Sequence, residues 1–237
     1  MSAPLPRIER VALGAWMLRL FDQIHETNLA WLQPLEKACR QHLGVHLLDL
    51  VPSYTTLLVE FDPLRTDPQW MAQQLKNLLS QVEAETDTPS GQLHELPVWY
   101  DPRVGPDLLP LSQTLGLDWP ALAEQHAQTR YRVFALGFAP GFAFMGSLPP
   151  HLRFPRLATP RPLVPVGSVA IAEEQTAIYP SATPGGWHLL GRTPLPLFDL
   201  QADPPSRFRV GDHVVFIPIQ REEFIHLGGD PTSVEPT

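Results

Sequence analysis

Cysteine and lysine are nearly absent from this 237-residue sequence. The single cysteine, Cys39, cannot form an internal disulfide, which excludes the small disulfide-stabilised scaffolds of secreted proteins. Lys37 and Lys76 are the only lysines, so a lysine nucleophile or Schiff base has two candidates, and both fall in helix-like segments. The low cysteine content favours a reducing compartment.

Positive charge and long apolar runs are also scarce. The formal net charge is -8 at pH 7 and the sequence pI is about 5.5, whereas nucleic-acid binding depends on dense lysine and arginine. No apolar run approaches the roughly 20 residues that cross a bilayer, and the opening residues MSAPLPRIER lack the apolar core of a signal peptide. We therefore expect a cytoplasmic protein with neither nucleic acid nor membrane among its partners.

Hydrophobic periodicity predicts alternating strands and helices in the first half of the chain. The predicted order is a strand-like stretch at 8–21, a helix at 28–42, two β-type runs at 45–51 and 54–61, a helix at 67–83 and a strand at 93–100. This β-α-β-β-α-β order predicts a ferredoxin-like α+β domain. The last strand could equally begin a second domain, because the polar segment 85–91 is the best candidate for a linker.

The second half of the chain has a different character. Two short helical segments between 107 and 129 precede a region rich in proline, glycine and β-type runs, which predicts a closed β-barrel or sandwich. The last residues, GGDPTSVEPT, lack apolar anchors. We therefore predict an α+β fold with an N-terminal domain at 1–87, a β-barrel domain at 88–226 and a flexible tail at 227–237.

Glycine or proline beside an aromatic residue recurs between Phe134 and Thr193. The pattern runs through GFAPGFAFMG and PRLATPRPLVPVGSVAIAEEQTAIYPSATPGGWHLLGRTPL, and VGDHVVFIPI follows later. Glycine permits close backbone approach and proline fixes φ, so such loops suit either a binding site or the tight corners of a small barrel. Over roughly residues 8–220 these ordered motifs resemble the KipI-like (PxpB-type) family of 5-oxoprolinase subunits, which is also described as allophanate hydrolase subunit 1.

The resemblance implies a cyclophilin-like β-barrel and an enzyme subunit that is inactive alone. It implies ATP-dependent hydrolysis of 5-oxoproline to glutamate with two partners, a larger PxpC- or KipA-like subunit and a PxpA-type (LamB/YcsF-like) subunit. ATP is then a co-substrate, with Mg²⁺, bound by this chain or by a partner. Two alternatives stay open, namely a KipI-type histidine-kinase inhibitor and an accessory subunit of allophanate or urea breakdown. The sequence departs mildly from the family pattern in FAFMGSL, TPGGW and AEEQT, which leaves substrate and partner preference open.

Three arginines in these motifs are candidates for binding a carboxylate or a phosphate. Arg156, Arg161 and Arg192 can form charge-assisted, bidentate contacts worth about 1.5–3 kcal/mol. Arg192 is the first choice as a catalytic residue, because nearby glycines would permit close approach, and the other two are predicted to bind substrate. Each arginine could instead hold a loop carbonyl or a structural acid.

The remaining candidates are a histidine, two hydroxyl groups, glycines and aromatic rings. His126, which ends the second short helix, is the predicted general acid or base, and the resemblance supports it, although a structural histidine fits equally well. Ser168 is predicted to hydrogen-bond in the site rather than to act as a nucleophile, because no triad spacing accompanies it. Further predicted substrate contacts are Gly185, Gly186, Trp187 and Thr193. The predicted pocket or interface walls, which could also be barrel core, are Phe138, Pro140, Phe142 and Tyr179.

The sequence argues against a phosphate-binding P-loop, a zinc site and a magnesium cluster. The GRTP segment lacks the lysine and the following helix of a phosphate-binding P-loop. A change from helix to strand between His42 and His46 turns their imidazoles apart, which argues against zinc. The acidic residues near predicted turns fit caps and turns better than a magnesium cluster; they are Asp62, Asp67, Asp101 and Asp107. We therefore predict no metal site in this chain.

Overall fold

The computed structural model describes residues 6–85 and 91–235. The chain divides into two compact units, Met1–Ser90 and Gly91–Thr237. Most of the predicted linker, residues 86–90, lies outside the described residues. Within the described ranges, no helix combines the length and the apolar character needed to span a membrane.

The first unit is a four-stranded antiparallel sheet with two helices. Its elements are β1 (Arg7–Ala12), β2 (Ala15–Arg19), α1 (Leu29–Leu43), β3 (Leu47–Pro52), β4 (Thr56–Phe61) and α2 (Pro68–Gln81). The strands lie in the order β1-β2-β4-β3. The order is ferredoxin-like, but the predicted fourth strand at 93–100 belongs to the second unit, as the alternative interpretation allowed.

The strand β1 takes that edge of the sheet instead, and β3 lies at the other edge. Strand β1 pairs with β2 in a hairpin from Arg7 opposite Arg19 to Ala12 opposite Ala15, so the predicted single stretch at 8–21 is two strands. The turn between them contains Gly14, where a Cβ would collide with the backbone carbonyl of Phe61. A turn this short leaves little trace in the hydrophobic pattern, which explains why the sequence pattern predicts one strand.

Both helices of this unit begin and end close to the predicted positions. The Asp67 carboxylate accepts hydrogen bonds from the backbone amides of Gln69 and Trp70 at the start of α2. Gly44 ends α1 with a φ of 45°, a conformation that glycine adopts without strain. Cys39 is buried on the apolar face of α1, and burial raises the pKa of its thiol to about 12, so the thiol is unreactive at neutral pH.

The second unit is built on a closed seven-stranded barrel. Its elements are β5 (Leu93–Tyr100), α3 (Leu108–Leu115), α4 (Trp119–Ala127), β6 (Tyr131–Leu136), β7 (Ala143–Gly146), β8 (Arg161–Val164), β9 (Ser168–Ala172), β10 (Gln175–Ile178), β11 (Thr183–Gly185), β12 (His188–Arg192), β13 (His213–Pro218) and α5 (Arg221–His226). The barrel runs β10-β7-β6-β13-β5-β12-β9 and closes between β9 and β10, while β8 and β11 form a separate pair. The predicted α+β fold with a β-barrel is therefore confirmed.

Alternate residues of the barrel strands form two apolar clusters. One receives side chains from all seven strands, for example Val98, Val133 and Val169, and therefore fills the interior. The other includes Ala170, Tyr179 and Leu189 and lies on the outer face of β9, β10 and β12, because neighbouring residues of a strand point to opposite faces. Most of the candidate site residues lie on this outer face.

The last described residues lie against this outer face, although they were predicted to form a flexible tail. Val234 packs on the outer cluster and donates its backbone amide to the carbonyl of Arg103 at 2.8 Å. The carbonyl of Asp230 accepts a hydrogen bond from Arg192 at 2.7 Å. We name residues 229–235 the C-terminal strap. These anchors could not be predicted from the sequence, because most of them are backbone groups, which have no signature there.

Candidate functional site

A small aromatic pocket gathers residues from three of the glycine- and proline-rich motifs. Its cavity has a volume of about 150 Å³. Its lining residues are Phe138, Phe142, Phe144, Arg156, Tyr179, Pro184, Gly185, Gly186 and Trp187. All of them except Phe144 and Pro184 were candidates from the sequence. Cavities for drug-sized ligands measure about 300–1,000 Å³, so this one suits a smaller molecule.

Phe142 organises the aromatic wall of the pocket. Its ring makes edge-to-face contacts with the rings of Phe138, Tyr179 and Trp187 at centroid distances of 5.1, 5.5 and 6.0 Å. The backbone of Gly185 lies against the Tyr179 ring, where a Cβ would collide with the hydroxyl oxygen. Glycine at this position therefore permits the close approach that shapes one side of the pocket.

Polar character in the pocket comes from Tyr179 and Arg156. Burial raises the pKa of Tyr179 above its ordinary value. A hydrogen bond with the Trp187 backbone and the charges of Arg156 and Arg161 oppose that rise only in part, so the phenol is neutral at pH 7. Arg156 is exposed and its Nε lies 3.9 Å from a carboxylate oxygen of Glu173, which is also exposed. Such a surface pair contributes little to stability and leaves the guanidinium available to a ligand.

Arg161 lies close to this pocket but is buried in an ion pair, and only its Nε has no hydrogen-bond partner among the described residues. One of its Nη atoms donates to Oδ1 of Asp107 at 2.9 Å, and the other donates to the carbonyl of Trp187 at 3.3 Å. Oδ2 of Asp107 accepts the backbone amide of Leu189 at 2.6 Å. Asp107 was interpreted as a cap or turn acid, but its side chain makes no cap hydrogen bond and is a buried counter-ion instead. The structure thus favours a structural role for Arg161.

Arg192 and Ser168 form a second candidate binding site on the outer face, which we name the arginine corner. They lie opposite each other in the pairing of β12 with β9, so their side chains point to the same face. Arg192 is 3% exposed, and Ser168 is fully buried. Thr193 is also buried, but its amide donates to the carbonyl of Gly167 and its hydroxyl accepts the amide of Leu195, which indicates a turn-forming role.

His126 lies in the barrel interior rather than in either place. Its Nδ1 lies 2.8 Å from the hydroxyl of Tyr100, and its Nε2 lies 2.9 Å from the hydroxyl of Thr176. Because the Thr176 hydroxyl donates to the carbonyl of Ala170, Nε2 carries the proton and Nδ1 accepts from Tyr100. Burial lowers the pKa of His126 to about 3, so the imidazole is neutral.

The geometry therefore favours the structural alternative for His126 over the predicted general acid or base. It is completely buried and stacks on Phe216 at a ring distance of 4.8 Å. Pro140 is exposed in the turn between β6 and β7 and is not among the pocket walls. Among the described residues, no group of three or more histidines, cysteines or acids is placed to hold a metal.

The chain is similar to proteins whose family is known. The family model "Carboxyltransferase domain, subdomain C and D" matches residues 6–208. A Bacillus subtilis protein, named as the B subunit of 5-oxoprolinase, is 33% identical over 227 residues, which is 92% of this chain and 95% of that protein.

Two solved structures are also similar. The protein TTHA0988 is 36% identical with a TM-score of 0.76; the match covers 87% of this chain, which spans only 40% of that longer chain. Kluyveromyces lactis urea amidolyase gives a TM-score of 0.79 at 17% identity over 94% of this chain and 15% of that one, a likeness that shows the fold alone. The chain therefore belongs to the KipI-like (PxpB-type) family of 5-oxoprolinase subunits, within the carboxyltransferase subdomain C and D group.

Proposed function

We propose that this chain is a subunit of an ATP-dependent 5-oxoprolinase, which hydrolyses 5-oxo-L-proline to L-glutamate together with PxpA-like and PxpC-like subunits. The name of the Bacillus subtilis relative supports the reaction. The observation that carries the proposal is the aromatic pocket with one exposed arginine, Arg156, among its lining residues. 5-Oxoproline is a small, partly apolar ring with a single carboxylate, and this pocket matches both features.

The reaction determines what the subunits must supply. A lactam carbonyl is a poor electrophile, so ATP transfers its terminal phosphoryl group to the carbonyl oxygen and leaves ADP. Water then attacks the activated carbon, the ring C–N bond breaks and the nitrogen takes up a proton, which leaves an acyl phosphate. A second water hydrolyses the acyl phosphate to glutamate and inorganic phosphate. In the proposal, Arg156 holds the substrate carboxylate and the rings of Phe142 and Trp187 hold the lactam ring.

Other parts of the reaction are assigned to partner subunits. The aromatic pocket is too small for a nucleotide, so the proposal leaves the adenosine part of ATP and its Mg²⁺ to a partner. His126 is enclosed in the barrel, so proton transfer is assigned to a partner as well. This division predicts a chain that is inactive alone and active in the complete assembly.

The test is glutamate release from 5-oxoproline and ATP. The chain would be assayed alone, with both partners, and with each partner omitted in turn. We expect turnover only in the complete mixture. A correctly assembled mixture that releases no glutamate would contradict the proposal, and allophanate would then replace 5-oxoproline as the substrate in the same assay.

Two adjacent glycines offer a matched test of the pocket. A Cβ at Gly185 would collide with Tyr179, whereas a Cβ at Gly186 would meet its nearest neighbour, Pro160, at 3.6 Å. We expect Gly185→Ala to raise the KM for 5-oxoproline at least about tenfold in the complete assembly, and Gly186→Ala to leave it nearly unchanged. Equal effects of the two substitutions would argue against substrate binding in this pocket.

Inhibition of a histidine kinase is a second candidate function, because one pocket wall is accessible to a protein partner. Phe138 is 64% exposed and has a φ of 70°, which is uncommon for a residue with a side chain. Exposed aromatic rings held in unusual conformations are frequent at binding surfaces. Kinase autophosphorylation measured with the purified chain would separate this function from the first, since inhibition requires neither ATP-dependent turnover nor 5-oxoproline.

A further inference from the structure

The hydrogen-bonding capacity of Arg192 is only partly used in the described structure. One Nη atom donates to the Asp230 carbonyl, while Nε and the other Nη are buried and have no hydrogen-bond partner among the described residues. Burial lowers the pKa of Arg192, and the nearest opposing influence is Asp230 on the exposed surface of the strap. A buried guanidinium that lacks a facing carboxylate is costly, so its retention needs an explanation.

A second unpartnered group belongs to the residue that pairs with Arg192 across the strands. The hydroxyl oxygen of Ser168 is buried without a hydrogen-bond partner among the described residues, and Ser168 is the cross-strand neighbour of Arg192. Gly167, next in sequence, permits close packing of the two strands, since a Cβ there would collide with the carbonyl oxygen of Thr193 and would lie 3.3 Å from Cγ of Arg192. Two guanidinium nitrogens and one hydroxyl therefore offer hydrogen bonds from adjacent strands, which is the donor set that an oxyanion requires.

The C-terminal strap covers this corner with a weak substitute for an anion. Its contact with Arg192 is the Asp230 carbonyl oxygen, which carries only a partial charge. The Asp230 carboxylate accepts instead from the amide and hydroxyl of Thr232, within the strap itself. The strap is otherwise held by backbone hydrogen bonds from Gly229 to Phe224 and from Val234 to Arg103, and by packing of the Val234 side chain on the outer cluster. A segment with so few buried contacts can leave the surface at small cost.

We propose that Arg192 and Ser168 form a binding site for a small oxyanion, a carboxylate or a phosphate, and that the C-terminal strap occupies this site until the ligand displaces it. The bidentate face of the guanidinium would bind two ligand oxygens, and Ser168 would donate to one of them. The site is distinct from the aromatic pocket and its assignment does not depend on the proposed reaction. Both the substrate carboxylate and a phosphate derived from ATP have the required chemistry.

Calorimetric titration of three proteins tests this site, with inorganic phosphate and 5-oxoproline as separate ligands at low salt. The proteins are the full chain, a chain that ends at Gly229, and the shortened chain with Arg192→Met. We expect the shortened chain to bind at least one ligand about tenfold or more tightly than the full chain, and Arg192→Met to abolish that gain. The ligand that gains affinity identifies the source of the oxyanion. Equal affinities of the full and shortened chains, or a gain that survives Arg192→Met, would overturn the proposal.

Two further variants keep the test decisive. Val234→Asp in the full chain releases the strap without shortening the chain, and it should give the same gain in ligand affinity. It therefore replaces the shortened chain if that protein fails to fold. Arg130→Met in the released background is the matched control, because it removes an exposed arginine outside both candidate binding sites and should leave phosphate binding unchanged. In the wild-type chain, saturating ligand should speed amide hydrogen exchange at Thr232 and Val234, and unchanged exchange with proven binding would place the ligand elsewhere.

Discussion

Arg161 and Arg192 are both 3% exposed and lie near the same face of the barrel, yet their surroundings differ in one respect. Arg161 faces the buried carboxylate of Asp107 at 2.9 Å, whereas the only hydrogen-bond partner of the Arg192 side chain within residues 6–85 and 91–235 is a carbonyl oxygen of the strap. The charge of Arg161 is compensated by its buried counter-ion, although its Nε has no hydrogen-bond partner among the described residues. A buried cation without a counter-ion retains unused binding capacity, which is typical of functional sites that sacrifice stability.

Arg161→Met should give the largest change in stability. It leaves the Asp107 carboxylate buried without its counter-ion, and we expect the free energy of unfolding to fall by about 3–5 kcal/mol. Urea unfolding followed by circular dichroism measures it. The double variant Arg161→Met with Asp107→Asn removes both charges and should recover part of the loss. A loss below about 1 kcal/mol in the single variant would show that the pair is not the structural unit described.

His126 extends the comparison of the two arginines to a third buried basic side chain. It avoids the free-energy cost of a buried charge, because its imidazole remains neutral. Its folded pKa of about 3 lies below the ordinary value of 6.5, so its contribution to stability is complete above pH 6.5 and is lost as the pH falls towards 3. Each pH unit below 6.5 costs about 1.4 kcal/mol. Between pH 7 and pH 5, the wild-type chain should therefore lose about 2 kcal/mol more than His126→Gln. Equal losses in urea unfolding would contradict a neutral, buried imidazole.

Arg192→Met should give the smallest change in stability, and its sign should be opposite to that of Arg161→Met. The substitution removes an incompletely compensated charge and one hydrogen bond to the strap. We expect the free energy of unfolding to stay the same or to rise by up to about 2 kcal/mol. A loss above about 0.5 kcal/mol in urea unfolding would contradict this expectation and mean that Arg192 is a structural residue like Arg161.

The sequence predicted best those features that depend on neighbouring residues. Asp67 and Gly44 mark the ends of helices through local chemistry, and the aromatic motifs carried most of the pocket walls. Local sequence could not show that Arg161 has a buried counter-ion and that Arg192 has none among the described residues. Asp107 lies 54 positions before Arg161, and Asp230 lies 38 positions after Arg192, so the difference between them is set by tertiary contacts. His126 was similarly ambiguous, because helix periodicity does not reveal that its ring enters the barrel.

The most direct test of the central claim is glutamate release by the complete three-subunit mixture with Arg192→Met in place of the wild-type chain. The claim is that Arg192 is retained for binding rather than for stability. We predict a folded, fully assembled variant whose turnover falls at least about tenfold. Unchanged turnover from a folded and correctly assembled Arg192→Met variant would contradict the claim and remove Arg192 from the functional site.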